Sequence, residues 1–105
     1  MIWRNVDVER KARLSEGGRV SRRTVVAADG AMHDMGLMLP GLYRHTSPEG
    51  ESLEILQGRC RIRRVDEGDW HELESGARFV CEPQVTYEIE VSEPLDFVAS
   101  PLSRG

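Results

Sequence analysis

The sequence predicts an all-β fold, a sandwich or barrel of short strands in one domain. Three observations carry this. Apolar and polar residues alternate in short stretches, most strictly in Arg59-Cys60-Arg61-Ile62-Arg63, which is the period of a half-buried strand. Glycine and proline punctuate the chain at close intervals, among them Asp29-Gly30, Pro40-Gly41 and Pro48-Glu49-Gly50. The chain is 105 residues long, enough for one core and one pocket but not for two domains. Helical periodicity is poor almost everywhere.

Taken in order, residues 1–18 form an N-terminal arm or one short helix, with Ile2, Val6, Val8 and Leu14 set among charges. Gly17-Gly18 breaks it, and residues 19–105 make the domain proper. Arg19–Ala28 is rich in β-branched residues and reads as a strand. Asp29-Gly30 is a two-residue hairpin signal, and Ala31–Leu39 is the partner strand. Leu42–Ser47 follows, then Ser52–Gln57, with Leu53 and Ile55 on one face. Gly58 turns the chain, and the Arg59–Arg63 strand comes next. Asp66–Asp69 is a loop. Trp70–Leu73, Arg78–Cys81, Thr86–Val91 and Leu95–Ser100 complete eight or nine strands, separated by Gly76, Pro83 and Pro94. No internal repeat or linker interrupts the series.

Composition narrows the function classes. Hydrophobic residues are 39% and charged residues 30%, an ordinary globular balance. No apolar run reaches the roughly 18 residues of a membrane span. The N-terminus carries charges throughout and has no apolar signal core, so the expectation is a cytoplasmic protein with no membrane partner. Two cysteines are too few for a disulfide framework. Residues 1–30 hold seven basic residues against four acidic ones, while residues 31–105 hold seven arginines against fourteen acids. An acidic body argues against nucleic acid as a partner, yet the basic segment suits a small anion such as phosphate. Arg59, Arg61, Arg63 and Arg64 read as a solvated strand face, paired with acids on a neighbour, rather than a nucleic-acid site.

One spacing carries more information. His45-x-Ser47-x-x-x-Glu51, six residues and then Gly58 resembles the first signature of the cupin jelly roll. The second would run from Gly76 through Glu82 and Gln84 to Tyr87. The four metal positions of that family fall on His45, Ser47, Glu51 and Tyr87. One imidazole and one carboxylate make a thin ligand set, since catalytic sites hold a metal with about three strong donors. Serine and neutral tyrosine are poor ligands, and nothing in the spacing requires His33 as a third. No metal is expected, and the four positions read instead as a polar pocket lining.

A second resemblance covers most of the chain, from Arg13 to Leu102. The run from Asp29-Gly30 through Met38-Leu39-Pro40-Gly41-Leu42-Tyr43 is similar to a segment of the small pyrimidine/purine nucleoside phosphorylases, one-domain cupins of about this length. Glu51 with Leu53-Glu54-Ile55-Leu56-Gln57-Gly58, Asp69-Trp70, and Glu74-Ser75-Gly76-Ala77-Arg78-Phe79 resemble further family segments, and Val20 to Val25 matches the preceding strand. The chain departs from the family at His45 and Tyr87, where apolar aromatics are expected, at Glu82, at Ser15-Glu16, and at Leu42 and Arg44. These departures imply a more polar pocket.

The resemblance implies a cupin-type jelly-roll barrel and phosphorolysis: nucleoside plus phosphate gives free base and pentose 1-phosphate, with no cofactor. The small cupins also imply a homodimer. Such chemistry needs donors for phosphate, a carboxylate near the oxocarbenium-like ribosyl centre, and a proton donor for the departing base. Strand alternation puts Tyr43, His45 and Ser47 on one face with Glu51 just beyond. Glu51 is the candidate stabiliser or ribose-hydroxyl acceptor. His45 is an acid or a phosphate donor, histidine being the side chain that changes charge near neutrality. Tyr87 stacks on the base or donates its hydroxyl. Arg23 lies in a matched segment and is placed nearest the phosphate, with Arg22 on the opposite face.

Each candidate has a plainer reading beside it. Glu51 also reads as a loop acid, His45 as a satisfied core histidine, and Tyr43 and Tyr87 as core rings. Cys60 and Cys81 read as small core residues, Trp70 as structural, and Met32, Met35 and Met38 as fillers at a core or dimer face. Two rivals stay open for the whole chain. One is a metal-dependent cupin using His33, His45 and Glu51. The other is a non-catalytic cupin that binds a sugar or nucleotide.

Overall fold

Period-two patterning resolves into nine antiparallel strands in the computed structural model, which describes residues 2–102. Met1, assigned above to the arm, and residues 103–105, assigned to the domain, lie outside the described residues. The arm forms two short strands, β1 (Asp7–Val8) and β2 (Arg13–Ser15), followed by one 3-10 turn, Glu16–Gly18. β3 (Val20–Val26) pairs with β1, with β2 and with β4 (Met32–Met38).

The β3–β4 hairpin exists, but its connection is longer than the expected two residues. The Ala27 N–H donates to the Ala31 carbonyl at 2.8 Å, leaving Ala28, Asp29 and Gly30 in the loop. Gly30 has φ of 88°, the left-handed residue that a three-residue hairpin loop requires. β5 (Gly41–Thr46) follows.

Two expected breaks are absent. Ser52–Gln57 and Arg59–Arg63 belong to one 14-residue strand, β6 (Glu51–Arg64), and Thr86–Val91 and Leu95–Ser100 belong to one 16-residue strand. With β7 (His71–Glu74) and β8 (Arg78–Cys81), the long last strand is β9 (Thr86–Pro101). Gly58 does not turn the chain. It sits among register shifts between Ile55 and Cys60, so it belongs to bulges that bend the strand and sharpen its twist. A Cβ at Gly58 would lie 2.1 Å from the Pro94 carbonyl oxygen. The two predicted breakers therefore face each other at one bend, and a side chain there would prevent the approach.

That bend organises the architecture. The first half of β9 pairs with β5 and with the end of β6, and its second half pairs with β4 and the start of β6. β8 and β7 cover the two halves of β6 in turn. The result is an all-β, cupin-type roll of two half-sheets around one core. The ladder does not close into a continuous barrel among the described residues.

Core residues come from the inward positions of both halves, with Ile55, Ile62 and Cys81 almost fully buried. Burial of such an isoleucine stabilises by about 1.5–3 kcal/mol. Cys60 and Cys81 are free and buried. The outward arginines of β6 meet acids on neighbouring strands. Arg61 lies 2.6 Å from Glu90, Arg63 2.9 Å from Glu88, and Arg59 3.3 Å from Glu74. The guanidinium groups of Arg61 and Arg63 each lie over the Trp70 ring, 4.3 Å from its centre. Among the described residues no helix is long and apolar enough to cross a membrane.

Candidate active site

The core of the roll is not filled at one end. A cavity of about 200 Å³ opens there, with Ile55, Ile62, Leu95 and Phe97 in its apolar wall and Arg22, Tyr43, His45 and Glu51 among its polar residues. β5 delivers Tyr43 and His45 by alternation, β6 begins at Glu51, and β3 supplies Arg22. A second compartment of about 350 Å³ lies beside it, lined in part by Arg22, Thr24, Asp34, Ser47 and Glu51. Arg22 and Glu51 line both, so their ion pair forms a partition.

The partition is a chain of charged hydrogen bonds. His45 Nε2 lies 2.5 Å from Glu51 Oε1. An ionised carboxylate only accepts, so Nε2 carries the proton and Nδ1 is the nitrogen left for other partners. Arg22 Nη2 donates to Glu51 Oε2 at 3.1 Å, and Arg22 Nε donates to Asp34 Oδ2 at 3.1 Å. Asp34 also accepts from Arg13 Nη2 and from the Thr24 hydroxyl, each at 2.9 Å. Burial alone would push the Glu51 carboxyl up, but the His45 hydrogen bond and the Arg22 charge outweigh it and hold it below the usual carboxylate range. Glu51 is therefore a half-buried anion held in place from both sides.

The other sequence candidates are spread more widely. Tyr43 is buried in the cavity wall, and its hydroxyl donates to the Leu39 carbonyl at 2.5 Å. Ser47 is buried and lines the second compartment. Tyr87 pairs with His45 across β5 and β9. Its ring nevertheless packs edge-on against Phe79, and its hydroxyl accepts the Glu82 N–H at 2.9 Å, away from the Glu51 cavity. Tyr87 lines a separate pocket with Arg64 and His71.

Arg23 is not brought to the cavity. Its guanidinium donates to the Arg10 carbonyl at 2.8 Å, tying the arm to β3. Arg22, expected on the opposite face from the site, is the arginine that meets Glu51. Parity in β3 is ambiguous because Val20 and Val25, on opposite faces, are both buried. Val20 lines the cavity, and Arg22 and Thr24 share its face; the matched segment that singles out Arg23 says nothing of which face turns inward. Asp34 carried no sequence signal of its own.

The residues at the cupin metal positions do not make a ligand set here. The one strong nitrogen donor, His45, is hydrogen-bonded to the one carboxylate, Glu51. His33 Nδ1 lies 2.7 Å from the Ser100 hydroxyl, and its ring packs near Trp3. Among the described residues, no three or more His, Cys, Asp or Glu side chains are grouped to hold a metal ion.

Comparison with known proteins now adds to this geometry. Residues 10–100 match the family model described as pyrimidine/purine nucleoside phosphorylase. A protein of that name from Sulfurimonas denitrificans is 33% identical over 98 residues, covering 93% of this chain and 94% of the relative. A crystal structure of a protein of unknown function from Acidithiobacillus ferrooxidans superposes with a TM-score of 0.83 at 35% identity, over 90% of this chain and 89% of that one. Another, from an Acinetobacter species, superposes with a TM-score of 0.91 at 26% identity, over 96% of this chain and 98% of that one. With most of its length matched by the family model, this chain belongs to the pyrimidine/purine nucleoside phosphorylase family.

Proposed function

We propose that this protein is a cytoplasmic nucleoside phosphorylase that cleaves purine and pyrimidine nucleosides with inorganic phosphate and without a metal. The observation that carries the reading is the half-buried Glu51 carboxylate, held between His45 and Arg22 on the wall of a cavity with a largely apolar lining. Apolar walls receive the planar base, whose faces gain from leaving water. Glu51 faces the sugar. As the glycosidic bond breaks, positive charge develops on the ribosyl centre, and a pre-positioned anion stabilises it without reorganisation.

The bonds balance simply. The C1′–N bond breaks and its electron pair leaves with the base. A phosphate oxygen forms the new C1′–O bond. His45, in its protonated form, supplies the Nδ1 proton to the base nitrogen while Nε2 stays on Glu51. Tyr43 shapes the cavity wall. The test is to incubate the protein with uridine, inosine, adenosine and guanosine, with and without phosphate, and to quantify free base by chromatography. Phosphate-dependent release is expected; equal release without phosphate, or none at all, overturns the reading.

A further inference from the structure

We propose that the free end of the Arg22 guanidinium is an oxyanion site, and that it binds inorganic phosphate on the His45 side of the Arg22–Glu51 pair. The proposal rests on the phosphorylase reading for its choice of anion, and on hydrogen-bond accounting for its place.

Arginine carries five N–H donors in a planar fork. Arg22 uses Nε on Asp34 and one Nη2 proton on Glu51. Both bonds lie along one edge of the guanidinium. Both protons of Nη1 and the second proton of Nη2 remain, and one from each nitrogen forms the end-on edge that matches two oxygens of a phosphate. This edge belongs to a side chain that lines both compartments.

The fork is pre-organised. Asp34 is itself fixed by Arg13 and Thr24, so it holds Arg22 without drifting toward a ligand. Pre-organisation lowers the ordering cost of binding. The remaining arginines in reach are occupied otherwise. Arg23 is tied to the arm, and Arg19 Nε donates to the Glu16 carbonyl at 3.2 Å.

Donors select the side. Beyond the shared pair, the second compartment adds the Asp34 carboxylate, which already accepts from Arg22, Arg13 and Thr24. The cavity on the other side adds His45 and the Ser15 hydroxyl against the single acid Glu16, while Arg44 there lies 3.7 Å from Glu88. The expected anion site therefore differs from the one the sequence suggests: it is Arg22, not Arg23.

The test titrates inorganic phosphate into the intact protein and follows the Nε–Hε resonances of its arginines by NMR. Arg22 is expected to shift saturably and Arg23 to stay unmoved. Arg22→Gln is expected to weaken phosphate binding about tenfold or more, and Arg23→Gln to change it by less than about twofold. An unmoved Arg22 resonance, or full-strength phosphate binding by Arg22→Gln, overturns the proposal. The resonance titration needs no variant, so it decides the matter even where Arg22→Gln does not fold. Nucleoside assays separate the two ideas. Phosphate-dependent base release that ignores Arg22→Gln sinks this site and leaves the phosphorylase reading standing. Saturable phosphate binding at Arg22 without base release does the reverse.

Discussion

His45 Nε2 and Glu51 Oε1 stand 2.5 Å apart at the wall of the core cavity. The carboxylate has a cation on its other oxygen, since Arg22 Nη2 is 3.1 Å from Oε2. This chain thereby keeps a negative charge where burial disfavours one. Glu51→Gln retains the shape and removes the charge. The expected effect on phosphate-dependent base release is a fall in kcat/KM of roughly a hundredfold or more, the cost of losing one pre-organised electrostatic partner. Steady-state kinetics with inosine and uridine measure it. A loss of less than threefold with both nucleosides would show that Glu51 is a structural acid.

The same carboxylate makes stability depend on pH. Burial opposes its ionisation, but the His45 hydrogen bond and the Arg22 charge prevail, so Glu51 titrates lower in the folded chain than in the unfolded one. A depressed carboxyl contributes stability that is present above the unfolded value and disappears as pH falls through the folded value. The urea midpoint of the native protein is expected to exceed that of Glu51→Gln at pH 7. The gap is expected to narrow through the acid range as Glu51 protonates. A gap unchanged between pH 7 and pH 3 contradicts the ionic origin.

Both thiols are expected to be silent in the folded state. Burial, together with the nearby Glu72 charge, pushes Cys60 up to about 11. Burial and the Glu51 charge push Cys81 up to about 12, against a smaller lowering by Arg22. Only the thiolate reacts, so a chromogenic disulfide reagent at pH 8 should modify neither cysteine in native protein and both in urea. The sign for stability is opposite to that of Glu51: the unfolded thiols ionise first, so their contribution falls as pH rises past about 9. Rapid native labelling of either cysteine would show that the core opens there.

At the bend, Gly58→Ala is expected to destabilise by about 1–3 kcal/mol, because φ is 95° and the new Cβ would sit 2.1 Å from the Pro94 carbonyl oxygen. Gly68→Ala is the control, with nothing within 4 Å of its Cβ. Its effect should stay within about 0.5 kcal/mol. Chemical denaturation of the two variants measures both. Equal stabilities would show that the β6 and β9 backbones separate at this point.

Much of the fold was legible because strand alternation is local. Cys60 and Ile62 are buried, and Arg61 and Arg63, which alternate with them, face outward to acids. Gly58 and Pro94 were legible as irregularities but not as what they are. A glycine that ends a strand and a glycine that bends one have the same local signal, and only the strand opposite tells them apart. Tyr87 shows the same limit in the site. It pairs with His45 in register, yet its ring turns to Phe79 and its hydroxyl to Glu82.

The sequence by itself determined the all-β class, the alternation of most strands, the family, and His45 and Glu51 as neighbours across the tight β5–β6 turn. They stand six positions apart in sequence, so local geometry suffices. Only the tertiary structure decided that Arg22 and Asp34 complete the site. Arg22 and Glu51 stand 29 positions apart in sequence, and β3 and β6 are not paired directly. They meet because β4 and β9 lie between them and the sheet curls at the Gly58–Pro94 bend. Which face of β3 turned inward depended on that curl, since valines are buried on both faces of the strand and its own pattern favours neither.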